Sequence, residues 1–113
     1  MKSPSKLAIY SGSLQRLMKE EASYHEELER QEKRLQKLTN EDSNDENKEW
    51  MIKQQQTVVE ETRSMFPVVM KNVENALQKL ENQVEEDQSH EHDLEEMNKA
   101  KDLIQRAKIF LAA

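Results

Sequence analysis

One seam of positions between residues 48 and 86 leaves few folds open to this chain. Ile52, Gln55, Val59, Thr62, Phe66, Val69, Val73, Ala76 and Leu80 step alternately by three and four. That is the repeat of a helix that keeps one side against partner helices. Met51, Val58, Met65, Met70, Leu77 and Val84 lie beside the seam, so the apolar face is wide enough for two neighbours. A lone helix would leave this face in water, and the other segments must cover it.

Pro67 falls inside the stretch. A proline within a helix removes a hydrogen bond and clashes one turn back, at about 3 kcal/mol. The seam nevertheless keeps its phase on both sides of Pro67, and no glycine or cap cluster accompanies it. A turn would reset the phase. The pattern predicts one long helix over about residues 47–86, kinked at Pro67.

A first helix is expected over about residues 5–38, on Leu7, Tyr10, Leu14, Leu17, Glu21, Tyr24, Leu28, Gln31, Leu35 and Leu38. Ser11-Gly12-Ser13 is its weak point, because glycine and serine favour leaving a helix. The helix therefore either starts near residue 5 or begins properly near Ser13 after a frayed turn. Glu21 and Gln31 are polar at seam positions, either snorkelling at an edge or setting register. Residues 39–47 hold no apolar side chain and form a connecting loop. A third helix is expected over about residues 90–112, capped by Ser89 and packed through Met97, Ala100, Ile104, Ala107 and Leu111.

With one glycine, two prolines and no run of strand-like alternation, the fold class is all-α. The expected architecture is a single domain, residues 1–113, forming an elongated up-down-up three-helix bundle with coiled-coil-like packing. Apolar and charged residues make up 35% each, which suits helices that each bury one stripe and solvate the rest.

Several function classes fall away. A formal net charge of −6 disfavours nucleic acid as a main ligand. No apolar run approaches a membrane span, and no signal-like segment follows the N-terminus, so a cytoplasmic protein is expected. Without cysteine there is neither a disulfide nor a thiolate metal site. The single glycine rules out a glycine-rich phosphate loop. Catalysis needs a pocket, and seam-packed helices fill theirs, so no enzyme and no cofactor are expected.

His90 and His92, with flanking acids, form the one pair resembling metal ligands. A histidine-containing capping loop is the simpler reading, and no metal site is assigned. His25 reads as a surface residue. Trp50, the only tryptophan, is either a partner hot spot or, more simply, a cover over the end of the core. The methionines read mostly as core filler.

Two runs carry the reading further. Ile52-Lys53-Gln54-Gln55 is followed by Glu61-Thr62-Arg63-Ser64-Met65-Phe66-Pro67. In the first helix stand Arg16-Leu17-Met18-Lys19-Glu20, then Tyr24, Glu27, Gln31 and Glu32. Together they resemble the tubulin-binding cofactor A family, with its Lys-x-Gln start, Glu-Ser-Arg-x-Met-Ile-Pro run and Tyr-x-x-Glu pattern. The resemblance covers roughly residues 6–84 and departs from the family at Thr62, Phe66 and the first loop.

It implies a non-catalytic folding cofactor that captures β-tubulin after release from the chaperonin and holds it on the route to the αβ heterodimer. Other tubulin-folding cofactors would be further partners, near the cytoskeleton, and the chain is either a monomer or a homodimer. The contact surface is expected on the polar flank of the first two helices, at Lys19, Glu20, Tyr24, Glu27, Lys53, Arg63 and Met65. The alternative is a helical adaptor or coiled-coil scaffold unrelated to tubulin.

Overall fold

The computed structural model describes residues 4–42, 44–88 and 94–113. They form three helices, α1 (Lys6–Asn40), α2 (Lys48–Asp87) and α3 (Leu94–Ala112), with no strand among the described residues. Ser89, expected as a cap, and His90 and His92 lie outside the described residues.

The first helix starts at Lys6 rather than near Ser13. Ser5 accepts a hydrogen bond on Oγ from the Ala8 amide at 3.1 Å, and its carbonyl accepts from the Ile9 amide at 3.0 Å. That is an N-cap ahead of Gly12, and it satisfies amides that would otherwise be orphaned. The Ser5 hydroxyl also donates to the Glu96 carboxylate of α3. Leu7 and Leu14 are fully buried on either side of Gly12, and their burial outweighs the helix cost of a single glycine.

Gly12 has no positive φ, and a Cβ placed on it meets nothing within 4 Å. Gly12→Ala is therefore expected to stabilise the chain by about 0.5–1 kcal/mol, read as a raised midpoint of thermal unfolding.

Asn47 immediately precedes α2: its carbonyl accepts from the Met51 amide at 2.9 Å, and the Asn47 amide donates to Asp45 Oδ1 at 3.0 Å. The helix runs unbroken through Pro67. The proline withholds the hydrogen bond due to the Arg63 carbonyl, but Arg63 and Pro67 are both exposed, so water reaches the freed group. Phase preservation across Pro67 thus marks a continuous helix.

The chain divides into two compact units, Met1–Glu20 with Val69–Ala113, and Glu21–Val68. The first is a three-helix unit. There α1 and α3 run parallel: Ser5 meets Glu96, and the groove between them climbs from Ala8 to Gln15 on one helix and from Glu96 to Arg106 on the other. Every buried apolar side chain among the described residues except Val59 belongs to this unit. Leu14, Val73, Leu80, Ala100 and Ala107 are 0% exposed.

The second unit holds only two helices, the latter part of α1 and the earlier part of α2. They are antiparallel, since Tyr24 meets Phe66 while Gln31 meets Gln55. With 19 residues against 40 in α2, α3 is long enough to accompany only about half of its neighbour.

Candidate partner-binding surface

Two helices can cover only the strip where they touch, and the Glu21–Val68 unit shows the consequence. Val59 is its one buried apolar residue among those described, beside the buried polar side chains Glu21, Gln55 and Thr62. Tyr24, Leu28, Leu35, Leu38, Met51, Ile52, Met65 and Phe66 are only half-buried. Polar groups cross the seam: Gln55 Nε2 donates to the Gln31 carbonyl at 3.0 Å. Gln31 Nε2 donates to Glu27 Oε1 at 3.1 Å, while Gln31 Oε1 is buried without a hydrogen-bond partner.

Helical periodicity gives the pair two outward flanks. Side chains of the unit itself close one of them. The His25 ring lies on Phe66 with centroids 4.5 Å apart and planes tilted by 34°, and it shares a hydrogen bond with Glu21. Arg63 Nη2 donates to Glu32 Oε1 at 2.6 Å. Both partners are well exposed, so this ion pair contributes at most about 1 kcal/mol. His25, read from sequence as an isolated surface residue, is in fact exposed at its edge but stacked on its face.

The other flank carries Met51, Val58 and Met65 at intervals of seven, with Trp50 and Val68 to one side. Trp50 is 63% exposed, Val68 51% and Val58 38%. Trp50 therefore does not cover the core end: it falls on the side of α2 turned away from the seam. The methionines also differ from expectation, since Met97 is buried while Met18, Met51, Met65 and Met70 are half-buried.

The residues singled out from sequence do not converge on one patch. Lys19 and Glu20 are exposed and belong to the three-helix unit. In the two-helix unit, Tyr24, Glu27 and Met65 share the open flank, with the Tyr24 ring edge-on to Phe66 at 6.4 Å. Arg63 sits on the closed flank with Glu32. Lys53 is exposed on the side of α2 opposite its seam. Val58 and Val68 were missed as surface residues; the signal was there in the breadth of the apolar face, too wide for two helices alone to cover.

Among the described residues, no group of three or more histidine or carboxylate side chains is placed to hold a metal ion. No described helix is long and apolar enough to cross a membrane. The described residues define an all-helical protein whose exposed apolar and charged side chains are spread along helix faces.

Comparison with known proteins gives that class a family. The pattern of the family described as tubulin binding cofactor A matches residues 2–104. Human tubulin-specific chaperone A is 33% identical over 96 residues, covering 85% of this chain and 82% of the human protein. The rabbit tubulin-specific chaperone A is 31% identical with the same coverage. The crystal structure of tubulin folding cofactor A from Arabidopsis thaliana superposes with a TM-score of 0.76 at 28% identity, covering 90% of this chain and 92% of that one. The chain belongs to the tubulin binding cofactor A family.

Proposed function

We propose that this chain is a folding cofactor that binds β-tubulin after its release from the chaperonin and holds it for assembly into the αβ heterodimer. Membership of the tubulin binding cofactor A family carries the reading, since the family pattern spans nearly the whole chain. The surface is of a suitable kind. A two-helix unit with a half-wet seam and an exposed apolar flank can shield apolar surface on an incompletely assembled partner. Interspersed charges along the same helices favour encounter and partner choice.

Holding requires no bond to be made or broken, so the chain acts without a cofactor and without catalysis. Such a protein works in the cytoplasm beside the cytoskeleton, and it hands its cargo to other tubulin-folding cofactors. Lys19, Glu20, Tyr24, Glu27, Lys53, Arg63 and Met65 remain contact candidates, with Tyr24, Glu27 and Met65 the best grouped.

The test mixes the purified chain with β-tubulin and, separately, α-tubulin from dissociated heterodimer, followed by gel filtration. A defined complex with β-tubulin alone is the expected result. A folded chain that captures neither subunit overturns the reading and favours a helical adaptor unrelated to tubulin.

A further inference from the structure

The open flank of the two-helix unit leaves large apolar side chains exposed among the described residues. Trp50, Met51, Val58, Met65 and Val68 form one stripe along α2, and three of the five are exposed large apolar side chains. Nothing comparable occurs on α2 beyond Val68, where every apolar side chain is buried or half-buried. The intervals of seven from Met51 to Val58 to Met65 match the knob spacing that another helix reads along its length.

Glu61 lies inside the stripe, one turn from both Val58 and Met65. It is exposed, and among the described residues its carboxylate has no ion-pair partner. Glu27, on α1, shares the flank and accepts only the neutral amide of Gln31. A partner that covered this stripe with purely apolar groups would strand the Glu61 carboxylate out of water, at a cost that opposes docking. A partner bringing lysine or arginine to that point would form a charge-assisted hydrogen bond instead.

We infer that this stripe is the docking site for an amphipathic helix of β-tubulin whose apolar face is interrupted by a basic side chain opposite Glu61. The assignment rests on the proposed function and names the surface it uses. Trp50, at one end, is the anchor: tryptophan is enriched among residues that dominate interface energies when they become buried. Val58 and Met65 occupy the middle, and Glu61 sets the register.

The experiment measures capture of β-tubulin from dissociated heterodimer by the full chain and by Val58→Glu, Glu61→Lys and Ile109→Glu. Helicity and thermal midpoint are recorded for each. Ile109 is 71% exposed on α3 in the other unit, so its substitution controls for an added surface charge. All three substitutions alter exposed positions, and folding should survive them. Val58→Glu and Glu61→Lys are each expected to weaken capture by roughly tenfold or more, with Ile109→Glu within about twofold of the unaltered chain. Incorporated 5-fluorotryptophan reports Trp50 alone, and its fluorine resonance should shift when β-tubulin is added.

Capture by Val58→Glu as tight as that of the unaltered chain overturns the docking site while leaving the proposed function standing. A dimer of the free chain that Val58→Glu splits overturns it in favour of a second copy on the stripe. An unaltered chain that captures no β-tubulin removes the proposed function and, with it, this assignment.

Discussion

Val73→Asp is expected to weaken the three-helix unit severely, lowering the midpoint of its thermal transition by far more than any exposed substitution on the same helix. Val73 is 0% exposed on the α2 seam, among the buried side chains Val69, Leu77 and Leu80 of the same helix. The substitution removes about 1.5 kcal/mol or more of apolar burial. It also leaves a carboxylate that must either charge without a partner or take up a proton, at several kcal/mol more. Against a total stability of roughly 5–15 kcal/mol, a loss near 4 kcal/mol is a large fraction. The midpoint should fall by roughly 20 °C or more, followed by circular dichroism at 222 nm. Val68→Asp, on the same helix but at a position 51% exposed, should change stability by less than about 0.5 kcal/mol. Equal effects at the two positions would mean that the seam is not the core.

That contrast between neighbouring valines was legible in the sequence, because it is periodicity and nothing else. Steps of three and four place Val69, Val73, Ala76 and Leu80 on one side, and all of them prove buried or half-buried. The continuity of α2 through Pro67 was legible for the same reason: a break in the helix breaks the phase, and the phase is intact. What local propensity suggested was less secure. Gly12 argued for a late start to α1, yet the Ser5 cap and the burial of Leu7 and Leu14 begin the helix two turns earlier. Propensity is worth about 1 kcal/mol at one glycine, and tertiary burial exceeds it.

The surface was harder to read, because exposure depends on which helices are present at each level, and a periodic pattern does not report that. Trp50 looked like a cover for the core end, but it falls beside Met51 on the flank away from the seam, with 63% of its surface in water. The stacking of His25 on Phe66 joins residues far apart in sequence, and no local spacing announces it. The sequence suggests one polar flank holding Arg63 with Tyr24 and Met65, whereas the pairing of Arg63 with Glu32 belongs to the other side of the unit. The Glu61–Pro67 run and the Arg16–Glu32 pattern carry the resemblance to the tubulin binding cofactor A family, whereas helical periodicity alone carries no partner.

The second large effect expected is in amide hydrogen exchange. Local opening costs least where few apolar side chains are buried and where helix backbone faces water. By that criterion the two units differ sharply. Opening residues 69–84 exposes Val73 and Leu80, which are fully buried, with Val69, Leu77 and Val84 nearly so. Opening residues 48–66 exposes one buried apolar residue, Val59, with Gln55 and Thr62, whose polar groups water can satisfy. Each fully buried aliphatic side chain is worth about 1.5–3 kcal/mol, so the difference between the two parts of α2 should exceed about 2.7 kcal/mol. Amides of residues 52–64 should therefore exchange roughly a hundredfold faster than those of 70–82, read by mass spectrometry or NMR at constant pH. Uniform protection along α2 would show that the helix opens only as a whole, and that the two-helix unit is no weaker than the other. Binding adds a second arm. A helix laid along Trp50, Val58 and Met65 supplies the third neighbour this unit lacks, so β-tubulin should slow exchange over 52–64 far more than over 70–82. Slowing confined to residues 70–82 would place the partner on the three-helix unit. Both expected outcomes together would make the low stability of the two-helix unit the counterpart of a docking surface, because apolar groups satisfied within the chain would not be available to a partner.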